Sequence, residues 1–125
     1  MDNFRVLLID DEEELVSTLA ERLDYRGISA DYAISGDMAL EKLQESSYDI
    51  VLIDLKLPGL SGDELLTVIH KSYPNLPALM ITGHGSGEAG DFVKPEGAYS
   101  LLQKPINISA LIEKMKEAIE ANEPG

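Results

Sequence analysis

Cysteine is absent from the 125-residue chain. Disulfides, thiolate metal sites and cysteine nucleophiles are thereby excluded, and the composition fits a reducing cytoplasm. Basic residues are scarce: ten Lys and Arg stand against 23 Asp and Glu, a formal net charge of -13. That field repels a phosphate backbone, so direct binding of DNA or RNA by this chain is not expected. Proteins and cations are the partners such acidity suits, although most of the carboxylates need do no more than keep the surface soluble. The opening MDNFRVLLID holds only a short apolar run before acids intervene, which fits neither a signal peptide nor a membrane span. Histidine occurs twice, as His70 and His84, and neither lies in a motif such as H-E-x-x-H. The glycine-rich stretch Gly83-His84-Gly85-Ser86-Gly87 lacks the lysine of a P-loop.

What is present suits one domain with a real core, since 44% of the residues are hydrophobic. Apolar runs alternate with helical patterns. Strands are expected at Phe4–Ile9, Ile28–Ala33, Asp49–Ile53, Pro77–Ile81 and Ala98–Leu102. Helices are expected at Glu12–Arg26, with Leu15, Leu19 and Leu23 at helical spacing, at Gly36–Glu45, at Gly62–Ser72 and at Asn107–Ala121. Gly27 is placed to cap the first helix. Strands that alternate with helices argue for parallel pairing through right-handed crossovers. The continuous apolar runs Val6–Ile9 and Val51–Ile53 fit strands covered on both faces.

The long apolar strands are followed by polar residues. Asp10 and Asp11 follow the first, Asp54 the third, Thr82 the fourth and Lys104 the fifth. In a doubly wound sheet these ends share one edge, where ligands bind at the reversal of strand order. Three carboxylates brought together repel unless a cation offsets them. An all-oxygen cluster with few ligands suits Mg²⁺, which keeps some waters and often shares a phosphate oxygen. Thr82 can donate to a phosphoryl oxygen and Lys104 can neutralise one. The set suits phosphoryl transfer with a carboxylate as nucleophile, giving an aspartyl phosphate. Each residue alone is weak evidence, because an acid after a strand commonly caps a helix. Their joint occurrence, in this order at these strand ends, carries the weight.

The motifs LLIDD at 7–11, DLKLPGLSG at 54–62, MITGHG at 80–85 and GAYSLLQKP at 97–105 resemble the receiver domains of two-component response regulators. In wording they are closest to nitrogen-regulation-type activators. The resemblance spans about Phe4 to Ala121, so residues 1–121 are expected to form the receiver domain. Residues 122–125 are expected to be a tail or the start of a linker. It implies a five-stranded parallel sheet in the flavodoxin-like order 2-1-3-4-5, with helices on both faces. It assigns Asp54 as phosphoacceptor, Asp11 as direct metal ligand, and Asp10 as its neighbour acting through water. It also assigns the Lys56 carbonyl as a metal ligand, Thr82 as the switch hydroxyl and Lys104 as the phosphoryl contact. The Lys104–Pro105 bond matches one that is typically cis. A phosphorylation-dependent switch of this kind is not an enzyme in the usual sense, although it promotes its own phosphorylation and dephosphorylation. It implies Mg²⁺ as cofactor, a histidine kinase or phosphotransfer protein as donor, a cytoplasmic location and no membrane contact, and it leaves open whether an output domain follows Gly125.

Two positions depart from the family pattern. Leu101 stands where an aromatic residue is usual, with Tyr99 two positions away. Ser86–Glu96, where a further helix is usual, contains Gly87, Gly90 and Pro95. These residues disfavour a helix, so a short or irregular segment is expected. The surface that many receivers use to dimerise would then be poorly formed, and a monomer, or a dimer built elsewhere, is expected. Two other functions differ from this one in what they require. An aspartate-nucleophile phosphatase acting on small substrates would turn over many times per chain. A flavin carrier needs a hydroxyl-rich phosphate loop after the first strand, where this chain has Asp-Asp-Glu-Glu-Glu.

Overall fold

The computed structural model describes residues 4–83 and 96–121. Among them run β1 (Arg5–Ile9), α1 (Glu13–Tyr25), β2 (Ser29–Ala33), α2 (Gly36–Glu45), β3 (Ile50–Asp54), α3 (Gly62–Ser72), β4 (Ala78–Thr82), β5 (Ser100–Gln103) and α4 (Ile108–Ala121). All strand pairs are parallel and the order is β2-β1-β3-β4-β5. This is the doubly wound, flavodoxin-like order that the sequence implied. The expectation of a short or irregular segment at Ser86–Glu96 falls, apart from Glu96, outside the described residues.

Alternation along each strand divides the core in two. Val6, Leu8, Ile50, Leu52, Leu79 and Ile81 face the layer of α1 and α4. Leu7, Ile9, Val51, Ile53, Ala78 and Met80 face the layer of α2 and α3. Both sets are buried, which is why β1, β3 and β4 read as unbroken apolar runs.

The helices bury residues at helical spacing: Ala39 and Leu43 in α2, Leu65, Leu66 and Ile69 in α3, Leu111, Ile112, Met115 and Ala118 in α4. In α1 the buried stripe is Val16, Ala20 and Leu23, while Leu15 stays exposed and Leu19 is half-buried. The stripe is thus rotated by about one residue from the leucine spacing. Gly27 ends α1 with φ +84°. Its N–H donates to the Asp24 carbonyl at 3.0 Å, and that of Ile28 to Leu23 at 3.0 Å. These two bonds form a Schellman motif, in which glycine supplies the left-handed conformation.

Several strands sit one or two residues later than the apolar runs suggest. Asp54 and Thr82 are the last residues of β3 and β4, not the first residues beyond them. Their backbones keep ladder partners, Asp54 in register with Ile81 and Thr82 with Gln103. Hydrogen bonding continues one step past the last apolar side chain.

Candidate functional site

The carboxyl ends of β1, β3, β4 and β5 meet at one edge of the sheet. Asp10 is held there by its N–H, which donates to the Ala33 carbonyl at 3.1 Å. Its Oδ1 accepts the Glu12 N–H at 3.0 Å. Asp54 is fixed in the same manner: its Oδ1 accepts the Lys56 N–H at 3.0 Å, and the following Leu55 N–H donates to Ile81 at 2.8 Å. Among the described residues, Asp10, Asp54 and Thr82 are the buried polar residues, at 5%, 4% and 2% exposure.

Gly62 lets α3 close on this edge. A Cβ there would collide with the Asp54 carbonyl oxygen and lie 2.8 Å from Leu55 Cα. The Gly62 N–H instead donates to the Leu55 carbonyl at 2.9 Å.

Lys104 reaches the cluster from the end of β5. Its N–H donates to the Thr82 carbonyl at 2.9 Å, and the Lys104–Pro105 peptide is cis. Its Nζ lies 2.6 Å from Glu12 Oε1, 3.0 Å from Asp10 Oδ2 and 3.4 Å from Asp54 Oδ2. Burial works against the ammonium charge, but hydrogen bonds to Glu12 and Asp10 outweigh it and raise the Lys104 pKa above its ordinary value. For Asp54, burial pushes the pKa up and the Asp10 charge adds to this, against the pull of the Lys56 N–H and Lys104.

Asp10, Glu12 and Asp54 each offer a carboxylate oxygen, all within 4.8 Å of one another, and together could hold a metal ion. The donors are all oxygen, which fits a hard divalent cation. Asp11 is exposed and stands outside this trio. Lys56 contributes its N–H to Asp54 while its side chain is exposed. Thr82 lies at the next strand end, and its buried hydroxyl has no hydrogen-bond partner among the described residues. By strand alternation it shares the side of Met80 and Leu101, whereas Asp54 shares that of Leu52 and Ile81.

The helical pattern alone places Glu12 as the first residue of the first helix. The structure makes it the non-helical residue before that helix, with no capping bond from its side chain. The signal was its type: short Asp, Ser or Asn is preferred at a cap, and a longer acid there has reach to spare. His70 lies away from the site, its Nε2 2.9 Å from the Leu76 carbonyl. His84 lies outside the described residues.

Beside the cluster, a groove of about 580 Å³ runs between α1 and Lys104–Ile106, lined by Leu15, Val16, Leu19 and Ile106 among others. Among the described residues, no helix is long and apolar enough to cross a membrane.

A family model described as "Response regulator receiver domain" matches residues 6–116. A "Putative response regulator NtrX-like" of Rickettsia felis is 34% identical over 122 residues, covering 96% of this chain and 26% of that protein. The "Transcriptional regulatory protein GlrR" of Escherichia coli is 33% identical over 119 residues, covering 95% and 27%. The chain therefore spans about a quarter of the length of these curated relatives. Among solved structures, a response regulator receiver domain protein from Clostridium thermocellum superposes with TM-score 0.83 at 31% identity, covering 94% of this chain and 95% of that one. The receiver domain of NtrX from Brucella abortus gives TM-score 0.81 at 33% identity, covering 92% and 98%. Nothing in these matches favours a small-substrate phosphatase. A buried aspartate at a strand end, a second acid and a lysine beside it, and this agreement in sequence and fold lead to one conclusion: the chain belongs to the response regulator receiver domain family and is a phosphorylation-dependent switch of two-component signalling, not a classical enzyme.

Proposed function

We propose that Asp54 accepts a phosphoryl group from a phosphohistidine on a histidine kinase or phosphotransfer protein. The observation that carries this is the state of its carboxylate: buried at a rigid strand end, one oxygen pinned by a backbone N–H and the other facing an ammonium. An Asp54 oxygen attacks phosphorus, a P–O bond forms as the P–N bond breaks, and the bonding pair leaves on the imidazole nitrogen, which takes up a proton. The fixed strand end supplies orientation. Lys104 neutralises a phosphoryl oxygen, and Thr82 donates to another, giving its unpartnered hydroxyl a partner. Attack by water at phosphorus then breaks the new P–O bond and returns the carboxylate, so the chain promotes both its own phosphorylation and its dephosphorylation. Asp10, Asp11, Asp54 and the Lys56 carbonyl would hold Mg²⁺, which when bound supplies positive charge against the carboxylates and the phosphoryl group.

On this reading, residues 1–121 are the phosphoacceptor unit of a cytoplasmic regulator, and 122–125 are a tail or the start of a linker to an output domain. Intact-mass measurement after exposure to a small phosphodonor with Mg²⁺ should show one acid-stable, base-labile phosphoryl group, absent from Asp54→Asn. Equal labelling of that variant would refute the assignment.

A further inference from the structure

The shortest contact of the Lys104 ammonium goes to the most exposed of its three carboxylates. Glu12 lies at 2.6 Å with its side chain 61% exposed, whereas Asp10 and Asp54 lie at 3.0 and 3.4 Å with side chains 8% and 6% exposed. An ammonium has three N–H donors, and three carboxylates surround this one. A phosphoryl oxygen arriving on Asp54 therefore competes with the acceptors already there. The weak Asp54 contact changes with loading itself, and Asp10 is poorly placed to yield: it is buried, with its other oxygen bound to a backbone N–H. The Lys104 backbone is tied to the Thr82 carbonyl at 2.9 Å, so adjustment falls to side chains. Glu12 has solvent to return to, and its side chain makes no capping bond that would be lost.

We infer that Glu12 is a latch on Lys104, a positioning residue that competes with the incoming phosphoryl oxygen for the ammonium and so sets how readily Asp54 is loaded. The inference rests on Asp54 being the phosphoacceptor. Because the pair is exposed on the Glu12 side, the competition is modest and reversible.

The test uses beryllofluoride, a phosphoryl mimic, titrated into the 125-residue chain at saturating Mg²⁺ and followed by fluorine NMR of the bound species. Glu12→Gln removes the charge that holds the ammonium. Glu12→Asp keeps the charge near the site but is one methylene shorter. Both variants should bind beryllofluoride roughly two- to fivefold more tightly than wild type, the range expected for one exposed ion pair. Tightening in Glu12→Gln alone would show a general charge effect and overturn the latch, as would unchanged affinity in both. Failure of the wild-type chain to bind beryllofluoride at all would instead remove the Asp54 reading, and the latch with it.

Discussion

Among the described residues the buried Thr82 hydroxyl has no hydrogen-bond partner, a condition that costs about 1–3 kcal/mol in folded proteins. Thr82→Val removes the hydroxyl and keeps the shape, so it should raise unfolding stability by about 1 kcal/mol or more in denaturant titrations without phosphodonor. A loss of stability would show that the hydroxyl is satisfied in solution. Asp11 is the exposed member of the acidic pair. Its replacement by alanine should abolish Mg²⁺-dependent labelling of Asp54 and leave the circular dichroism spectrum unchanged; retained Mg²⁺ dependence would shift the metal ligand to Glu12. A separate cluster joins β1, β2 and the entry to β3. The Tyr48 hydroxyl donates to Asp31 Oδ2 at 2.6 Å, and the Arg5 guanidinium lies 5.0 Å over its ring. Burial, then the bond to Asp31, pushes the phenol up to about 12. The folded pKa is the higher one, so the stabilisation is present below the unfolded value near 10 and is lost as pH rises through about 12. Ultraviolet titration of wild type against Tyr48→Phe should show this late step missing from the variant.

At the level of elements, the approach of α3 to β3 depends on one absent side chain. Gly62→Ala would set a Cβ against the Asp54 carbonyl oxygen and Leu55 Cα, backbone atoms that cannot turn aside. Overpacking of this kind costs about 1–3 kcal/mol. Denaturant unfolding should show that loss, and fluorine NMR should show weakened beryllofluoride binding, because the displaced atoms belong to the strand that ends in Asp54. The existence and order of the elements were legible because buried parallel strands and amphipathic helices carry different periods. Element ends were less so: the ladder carries on through Asp54 and Thr82, whose side chains give no apolar signal. Leucine spacing likewise misplaced the buried stripe of α1, since the sequence pattern does not say which side of a broad apolar face meets the sheet. Asp10, Asp54 and Lys104 were legible as residues at strand ends that converge. Glu12 was not, because its role depends on a lysine 92 positions away.

Over the whole molecule, the charge of -13 makes two effects of salt separable. Screening by any ion relaxes the self-repulsion of an acidic chain. A bound cation adds stability by mass action, about 1.4 kcal/mol at tenfold excess over its dissociation constant. Mg²⁺ should therefore raise the melting temperature more than NaCl does at equal ionic strength, and Asp54→Asn should shrink that difference. Equal effects of the two salts would leave only screening. The alternation described for β3 and β4 has a further consequence. Asp54 and Lys104 look toward the layer of α1 and α4, and Thr82 looks with Leu101 toward that of α2 and α3. On the proposed function, the carboxylate that takes the phosphoryl group and the hydroxyl that would sense it thus stand on opposite pages of one sheet. Exchange of α1 for that of a relative should alter which donor loads the chain and leave the effect of Thr82→Ala on the loaded state as it was. On that reading the two pages can be altered separately and are joined only at the phosphoryl group that both would touch.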